Sequence, residues 1–449
     1  MPVPALRSLC SLALSASLLV ACASLEDKPP ATSITPMPGL GGSTFKVTAR
    51  DEQARAWFAQ GLQLAYAFEH AEATRVFRAA LARDPTCAIC AWGLAYSLGP
   101  NINNSDRGPV RDIRRYIERA QHTGALHFYV HVAEHSPDAR QAETAADGLG
   151  AAAPESPHLV HMGSHIYKNI GRFADGSRAN EQALEVQKRF DAVLKAQGVQ
   201  RSGRWDAHHL HFLWYAALME GRTGLSLRTA REYAQRFGNQ GDGDAEYAQL
   251  LPMATLVRLQ RWDEVLAESA PRLGLGLLEG YGAYARGMAY VHTGRLGQAR
   301  AELASVQRLR AQPTLQRARM YDEDTPAKLM ALAHDTLAGT IARAERRHDE
   351  AIALLRQAAD VDDELGNDPP LFGGGVRLAL AGALLDGGKV DEASKAIAEA
   401  LRLNGPSAWT YQGLAQVAER QGAHEEARRH AELARAAWKN AEGASLPRL

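Results

Sequence analysis

Residues 54–87 read ARAWFAQGLQLAYAFEHAEATRVFRAALARDPTC. In a 34-residue frame starting at Ala54, Trp57, Gly61, Ala73, Phe77, Ala80 and Pro85 fall at positions 4, 8, 20, 24, 27 and 32. Small residues at 8, 20 and 27 let two helices approach closely, and the bulky ones fill the gap between them. The same grid returns along the chain. Gly287, Gly294 and Ala299 mark a copy near 280, and Gly339, Ala351 and Ala358 one near 332. Ala381, Gly388, Ala393 and Ala400 mark one near 374, and Ala415, Gly422, Ala427 and Ala434 one near 408. Weaker copies begin near 88, 124, 157, 207 and 247. A helix pair of this length cannot bury its apolar face alone, so neighbouring pairs must stack into a continuous core.

This grid resembles the tetratricopeptide repeat, a helix-turn-helix unit of 34 residues. The resemblance implies an all-α fold, an α-solenoid in which antiparallel helix pairs form a right-handed superhelix. It also implies that positions 2, 5, 9, 12 and 13 of each first helix line a concave groove. Breaks at 236–245 (RFGNQGDGDA) and 364–375 (ELGNDPPLFGGG) read as loops within the array, and 99–112 as an irregular loop.

Histidine is concentrated in one part of this array. Of 16 histidines, 10 lie between residues 122 and 211, where an even spread would put about three. In SPHLVHMGSHIYKNIGRF, residues 156–173, Gly171 fits position 15, so Pro157 opens the repeat behind Ser156 as N-cap. His158, His161 and His165 then occupy positions 2, 5 and 9, within about 60° of arc on one helix. The preceding repeat, beginning near 124, puts His127 and His131 at 5 and 9, with Glu134 and His135 at 12 and 13 when position 1 is Thr123. The following repeat, beginning at Ala207, puts His208 and His211 at 2 and 5 and turns His209 away. Three successive helices thus offer imidazoles to one face.

Imidazoles at i, i+3 or i+4 ligate a metal from one helix face, and imidazole suits zinc, copper or nickel. The candidate metal set is His127, His131, Glu134, His158, His161, His165, His208 and His211, with zinc or copper as the ion. Glu134 fits a ligand, an orienting group or a base. The bland reading is a set of groove histidines bonded to neighbouring polar groups. His131-Val-Ala-Glu134-His135 also spells H-x-x-E-H, a signature of zinc peptidases, but on a repeat helix it is out of context.

The N-terminus, MPVPALRSLCSLALSASLLVACAS, has one early charge, Arg7, and then an apolar run. LVAC at 19–22 resembles a bacterial lipobox, which implies cleavage before Cys22 and lipidation of its thiol. Ala23 after the cysteine favours the outer membrane, so the expected location is the cell envelope, facing the periplasm. The expected layout is a signal over 1–21, a tether over 22–50, histidine-rich repeats over 51–235, C-terminal repeats over 246–440 and a tail over 441–449. Cys87 and Cys90 remain, as buried small residues or as a disulfide. With 51 basic and 51 acidic residues the chain carries no net charge, which gives no case for nucleic acid as a partner.

HTGALHFYVHVAEHS (122–136), HLVHMGSHIYKNIGRF (158–173), CAICAWGLAYSLGPNIN (87–103) and HHLHFLWYAALMEGR (208–222) together resemble a group of uncharacterised bacterial tetratricopeptide proteins with histidine-rich blocks. The resemblance covers about residues 54–222. It implies that His122, His127, His131, Glu134, His158, His161, His165 and His211 share one site. Here Met162-Gly163 replaces the more usual Met-Pro.

The sequence therefore points to a lipid-anchored α-solenoid with a histidine-rich, metal-binding groove and a protein or peptide partner on its repeat surface. The alternatives are a metal-free interaction scaffold, for which Trp92, Tyr96 and Tyr215 would suit peptide recognition, and a metal-dependent hydrolase with Glu134 as base. No catalytic residues and no organic cofactor are assigned.

Overall fold

The computed structural model describes residues 34–41, 47, 49–87, parts of 89–97 and 123–446, apart from short stretches at 137, 200–203, 240–242, 269–273, 321–324, 366–368, 373–374 and 443–445. Cys22 and the signal-like segment, Trp92, Tyr96 and His122 lie outside the described residues. Two compact units divide the chain. One takes Met1–Pro36, Thr44–Ala65 and Glu69–Ser105; the other takes Met37–Ser43, Tyr66–Phe68 and Asp106–Leu449. Among the described residues no helix is long and apolar enough to cross a membrane.

In the first unit, helices α1 (Glu52–Tyr66) and α2 (His70–Arg83) form the pair read from residues 54–87. Phe77 fills the space that the small residues leave. A Cβ on Gly61 would lie 2.8 Å from its ring, and one on Gly93 2.5 Å. Cys87 and Cys90 are joined by a disulfide across Cα atoms 5.2 Å apart.

The second unit is an all-α array of antiparallel helix pairs of the tetratricopeptide type. It runs α3 (Thr123–Glu134), α4 (Glu143–Ala152), α5 (Pro157–His161), α6 (Gly163–Ile170), α7 (Phe173–Ala196), α8 (Arg204–Glu220), α9 (Thr223–Phe237), α10 (Gly243–Arg258) and α11 (Trp262–Ala267). It continues through α12 (Leu277–His292), α13 (Leu296–Arg310), α14 (Pro313–Arg317), α15 (Thr325–Ala344) and α16 (His348–Leu365). It ends with α17 (Gly375–Asp386), α18 (Val390–Asn404), α19 (Ala408–Arg420) and α20 (His424–Ala437). α9 and α10 pack on each other across the 236–245 break.

The turn inside each pair explains the recurring glycine at position 15. Gly171, Gly221, Gly294, Gly388 and Gly422 all have φ between 73° and 86°, a left-handed conformation that costs glycine nothing. The next residue then donates its N–H back five residues, Arg172 to Tyr167, Arg222 to Ala217, Arg295 to Tyr290 and Lys389 to Leu384, at 2.7–2.9 Å. That bond satisfies a helix-end carbonyl and reverses the chain. Phe68 and Arg346 take the same φ, 59° and 60°, at the same position without being glycine.

The array also meets itself. Beyond α20, Glu442 N donates to the Gly221 carbonyl at 3.0 Å, and the Glu442 carboxylate accepts from Gly224 N at 2.7 Å. Asn440 Nδ2 donates to Glu220 at 2.9 Å. At Gly405, a Cβ would lie 2.5 Å from the Asn169 carbonyl. The last repeat therefore braces the turns after α6 and α8, two of the histidine-bearing helices.

Candidate metal centre

α3 carries His127 and His131 one turn apart, with Glu134 below them. The first helix of the next repeat does not run unbroken from Pro157. It divides at Met162 into α5, with His158 and His161, and α6, with His165. Met162 stays in right-handed helical conformation, and His165 N bonds three residues back to Met162 O at 3.2 Å, a tightened turn. α8 adds His208 and His209. Six of these rings sort into two triads, His127–His131–His158 and His161–His165–His208; in each, one potential ligand atom per residue lies within 4.8 Å of the others.

Acceptors behind four of the rings fix their tautomers. His127 Nδ1 faces the Tyr66 carbonyl, which only accepts, so it must carry the proton. His131 Nδ1 donates to Glu134 Oε1 at 2.7 Å, and His165 Nδ1 donates to Glu134 Oε2. His161 Nδ1 lies 2.6 Å from Asn180 Oδ1. Asn180 is oriented by its own amide, which donates to Gly176 O at 2.8 Å. In these four rings the neutral imidazole therefore presents an Nε2 lone pair.

Two of those lone pairs meet: His161 Nε2 and His165 Nε2 are 2.9 Å apart. His208 Nε2 lies 3.4 Å from His165 Nε2, and His158 Nε2 lies 3.0 Å from His127 Nε2. Two acceptor nitrogens at 2.9 Å have no hydrogen to share and repel. His131 Nε2 is buried and has no hydrogen-bond partner among the described residues, and the same holds for His158 Nδ1.

The surroundings are apolar. Phe68 lies 4.4 Å from the His127 ring and 5.2 Å from that of His131, Trp205 is 4.4 Å from His158, and Phe212 is 4.4 Å from His165 and 4.8 Å from His208. His127 and His161 have no exposed surface, and His158 almost none. Burial, reinforced by the neighbouring rings, pushes the imidazoles of His127, His158 and His161 well below the usual histidine range. These three are held neutral, the form that ligates metals.

The remaining predicted residues sit as follows. Glu134 has its side chain 5% exposed, and both of its oxygens receive imidazole N–H groups, which places it behind the rings. His211 belongs to neither triad: its Nε2 is 3.1 Å from the Tyr247 hydroxyl and its ring stacks on Trp214. His135 is 81% exposed, so His131 and His135 of the H-x-x-E-H string do not converge on one ion. His209, expected to face away, is buried with its ring 4.8 Å from that of His161.

Three participants escaped the sequence reading. Asn180 lies on a second helix, where the groove positions do not look. The Tyr66 carbonyl is backbone and has no sequence signal. Phe68 did leave one: an aromatic residue stands at a turn position where five other repeats have glycine. Arg346 shares the conformation far from any histidine cluster, so it is the ring contacts that tie Phe68 to the site.

The sequence matches no family profile and no curated protein. Solved structures give low-identity likenesses. The apo form of the quorum sensor NprR from B. thuringiensis is 11% identical with a TM-score of 0.33, covering 86% of this chain and 99% of that one. A Rap protein complexed with Competence and Sporulation Factor is 12% identical with a TM-score of 0.35, covering 86% and 98%. The P58(IPK) TPR domain is 10% identical with a TM-score of 0.23, covering 86% and 93%. These TM-scores are too low to bear on function.

Proposed function

We propose that the protein binds a transition-metal ion, zinc or copper, on the histidine-lined face of its repeat array. The observation that carries this reading is the convergence of Nε2 lone pairs whose Nδ1 protons are already committed. A cation taking both lone pairs removes the repulsion between His161 and His165. Two imidazoles on a tetrahedral zinc stand about 3.3 Å apart, close to the separations seen. The N–H···carboxylate, N–H···amide and N–H···carbonyl bonds behind the rings are the usual orienting partners of metal-ligating histidine. The donor chemistry, neutral imidazole throughout, suits zinc or copper and disfavours magnesium and calcium.

In this reading Glu134 orients His131 and His165 and does not activate water, since both its oxygens are engaged. The chain would act in the cell envelope, held by lipid on Cys22, with its remaining repeats offered to a protein or peptide partner; the anchor and the location rest on the sequence, and the partner on the helix-pair architecture. Metal analysis of protein purified without a histidine tag tests the reading. The expected result is co-purified or readily bound zinc or copper, a raised melting temperature on adding the ion, and loss of both in the His131→Ala/His161→Ala double variant with its helical signal intact. A wild type that takes up neither ion and shows no thermal shift removes the metal and leaves an interaction scaffold.

A further inference from the structure

We infer that the two histidine triads hold two metal ions at once, as a pair tied together by Glu134. This rests on the metal-binding reading above and goes beyond it in number and in coupling.

The donor sets do not overlap: six different imidazoles form two groups of three. A four-coordinate ion would leave at least two of these six rings without a role. The groups are nevertheless adjacent. The His131 and His165 rings, one from each triad, have centroids 5.7 Å apart, and those of His158 and His161 are 6.1 Å apart. Helix geometry explains the division. His158 and His161 are three apart on α5, so His158 meets α3 while His161, with His165, meets α8.

One carboxylate serves both groups. Glu134 Oε1 accepts from His131 of the first triad and Oε2 accepts from His165 of the second. An ion on either triad makes that ring's N–H a stronger donor and draws on the same carboxylate. Charge acts in the same direction. All six donors are imidazole nitrogens, which bring no negative charge, and Glu134 is the carboxylate bonded to both sets, so two divalent ions set four positive charges against its one. In apolar surroundings the second ion enters against the field of the first. The pair should therefore fill in two unequal steps.

The experiment is equilibrium dialysis of the untagged, full-length protein in detergent against zinc(II), with bound metal quantified. The variants are His127→Ala/His158→Ala, His161→Ala/His208→Ala and Glu134→Gln. Wild type is expected to bind two equivalents, the second at least about tenfold more weakly than the first. Each double-alanine variant should keep one equivalent, which also reports that it is folded. Glu134→Gln should weaken both steps by about 10–100-fold, as loss of an orienting group does. One equivalent in wild type, abolished by either double variant, overturns the pair and leaves a single shared site. Two equal steps, or a Glu134→Gln effect confined to one step, overturns the coupling. No binding at all overturns the metal reading itself.

Discussion

The repeats over 123–237 and those over 277–437 are built on the same helix pair, yet their groove positions carry different chemistry. Positions 2, 5 and 9 are His158, His161 and His165 in one repeat, Tyr281, Tyr284 and Met288 in another, and Ala333, Thr336 and Thr340 in a third. The position that reverses the chain does not differ in this way: position 15 is glycine at Gly171 and Gly221 in the one region and at Gly294, Gly388 and Gly422 in the other. Fold and chemistry therefore occupy separate registers of one 34-residue frame. A cluster of reactive side chains can be set into a few repeats without disturbing the stacking.

Both regions also bury ionisable groups whose charged form is disfavoured. The histidine face holds bases whose charged form is disfavoured. The C-terminal repeats hold Asp362, whose carboxyl is pushed up to about 7 chiefly by burial, helped by Asp363 and opposed by Arg377 and Arg258. Arg258 itself lies 4.5 Å over the Trp409 ring and is pushed down to about 10, again chiefly by burial.

The largest expected effect separates the regions outright. Leu337→Ala, fully buried against Gly287, should cost about 2–5 kcal/mol of stability and leave metal affinity unchanged. His131→Ala should cost much less stability and lose one of the two equivalents of metal, that of its own triad. Denaturant unfolding alongside zinc titration of both variants checks this; a Leu337→Ala protein with altered affinity would mean the regions are not independent.

A smaller effect is a pair of pH dependences of opposite sign. His127, His158 and His161 bind fewer protons folded than unfolded, so stability of the metal-free protein falls as pH drops below the unfolded value of 6.5. Asp362 has a raised folded value, so its cost grows as pH rises from 3.8 and is complete above about 7. Because Asp362 is only half-buried, Asp362→Asn should recover about 1–2 kcal/mol at pH 8 and almost nothing at pH 4. Unfolding curves at both pH values measure it; an equal gain at each would dismiss the titration.

The smallest effect compares two turns. Arg346 is exposed and left-handed, so Arg346→Gly should gain up to about 1 kcal/mol. Phe68→Gly relaxes the same conformation but removes the ring against His127 and His131, and should lose both stability and zinc affinity. Matching gains from both would mean Phe68 contributes nothing to the site.

Much of this was legible in the sequence. Small residues at fixed positions gave the helix pairs, and Gly171 fixed the register that put His158, His161 and His165 on one edge. The division into two triads was not legible. It depends on how α3, α5, α6 and α8 pack, and periodicity within one helix says nothing of that. The same packing brings His209 inward and sends His211 to Tyr247. The proton acceptors were hidden for a different reason: one is a backbone carbonyl, and Asn180 belongs to the second helix of its repeat. Phe68, Gln260 and Arg346 took left-handed turns that composition assigns to glycine, because the stacked pairs enforce the turn whatever residue occupies it.

The most direct measurement is anomalous X-ray diffraction at the zinc edge from crystals of the zinc-loaded, untagged protein. Two anomalous peaks are expected, one within bonding distance of His127, His131 and His158, and one within bonding distance of His161, His165 and His208. Peaks confined to exposed histidines such as His135 and His424, with the triads bearing none, would contradict this.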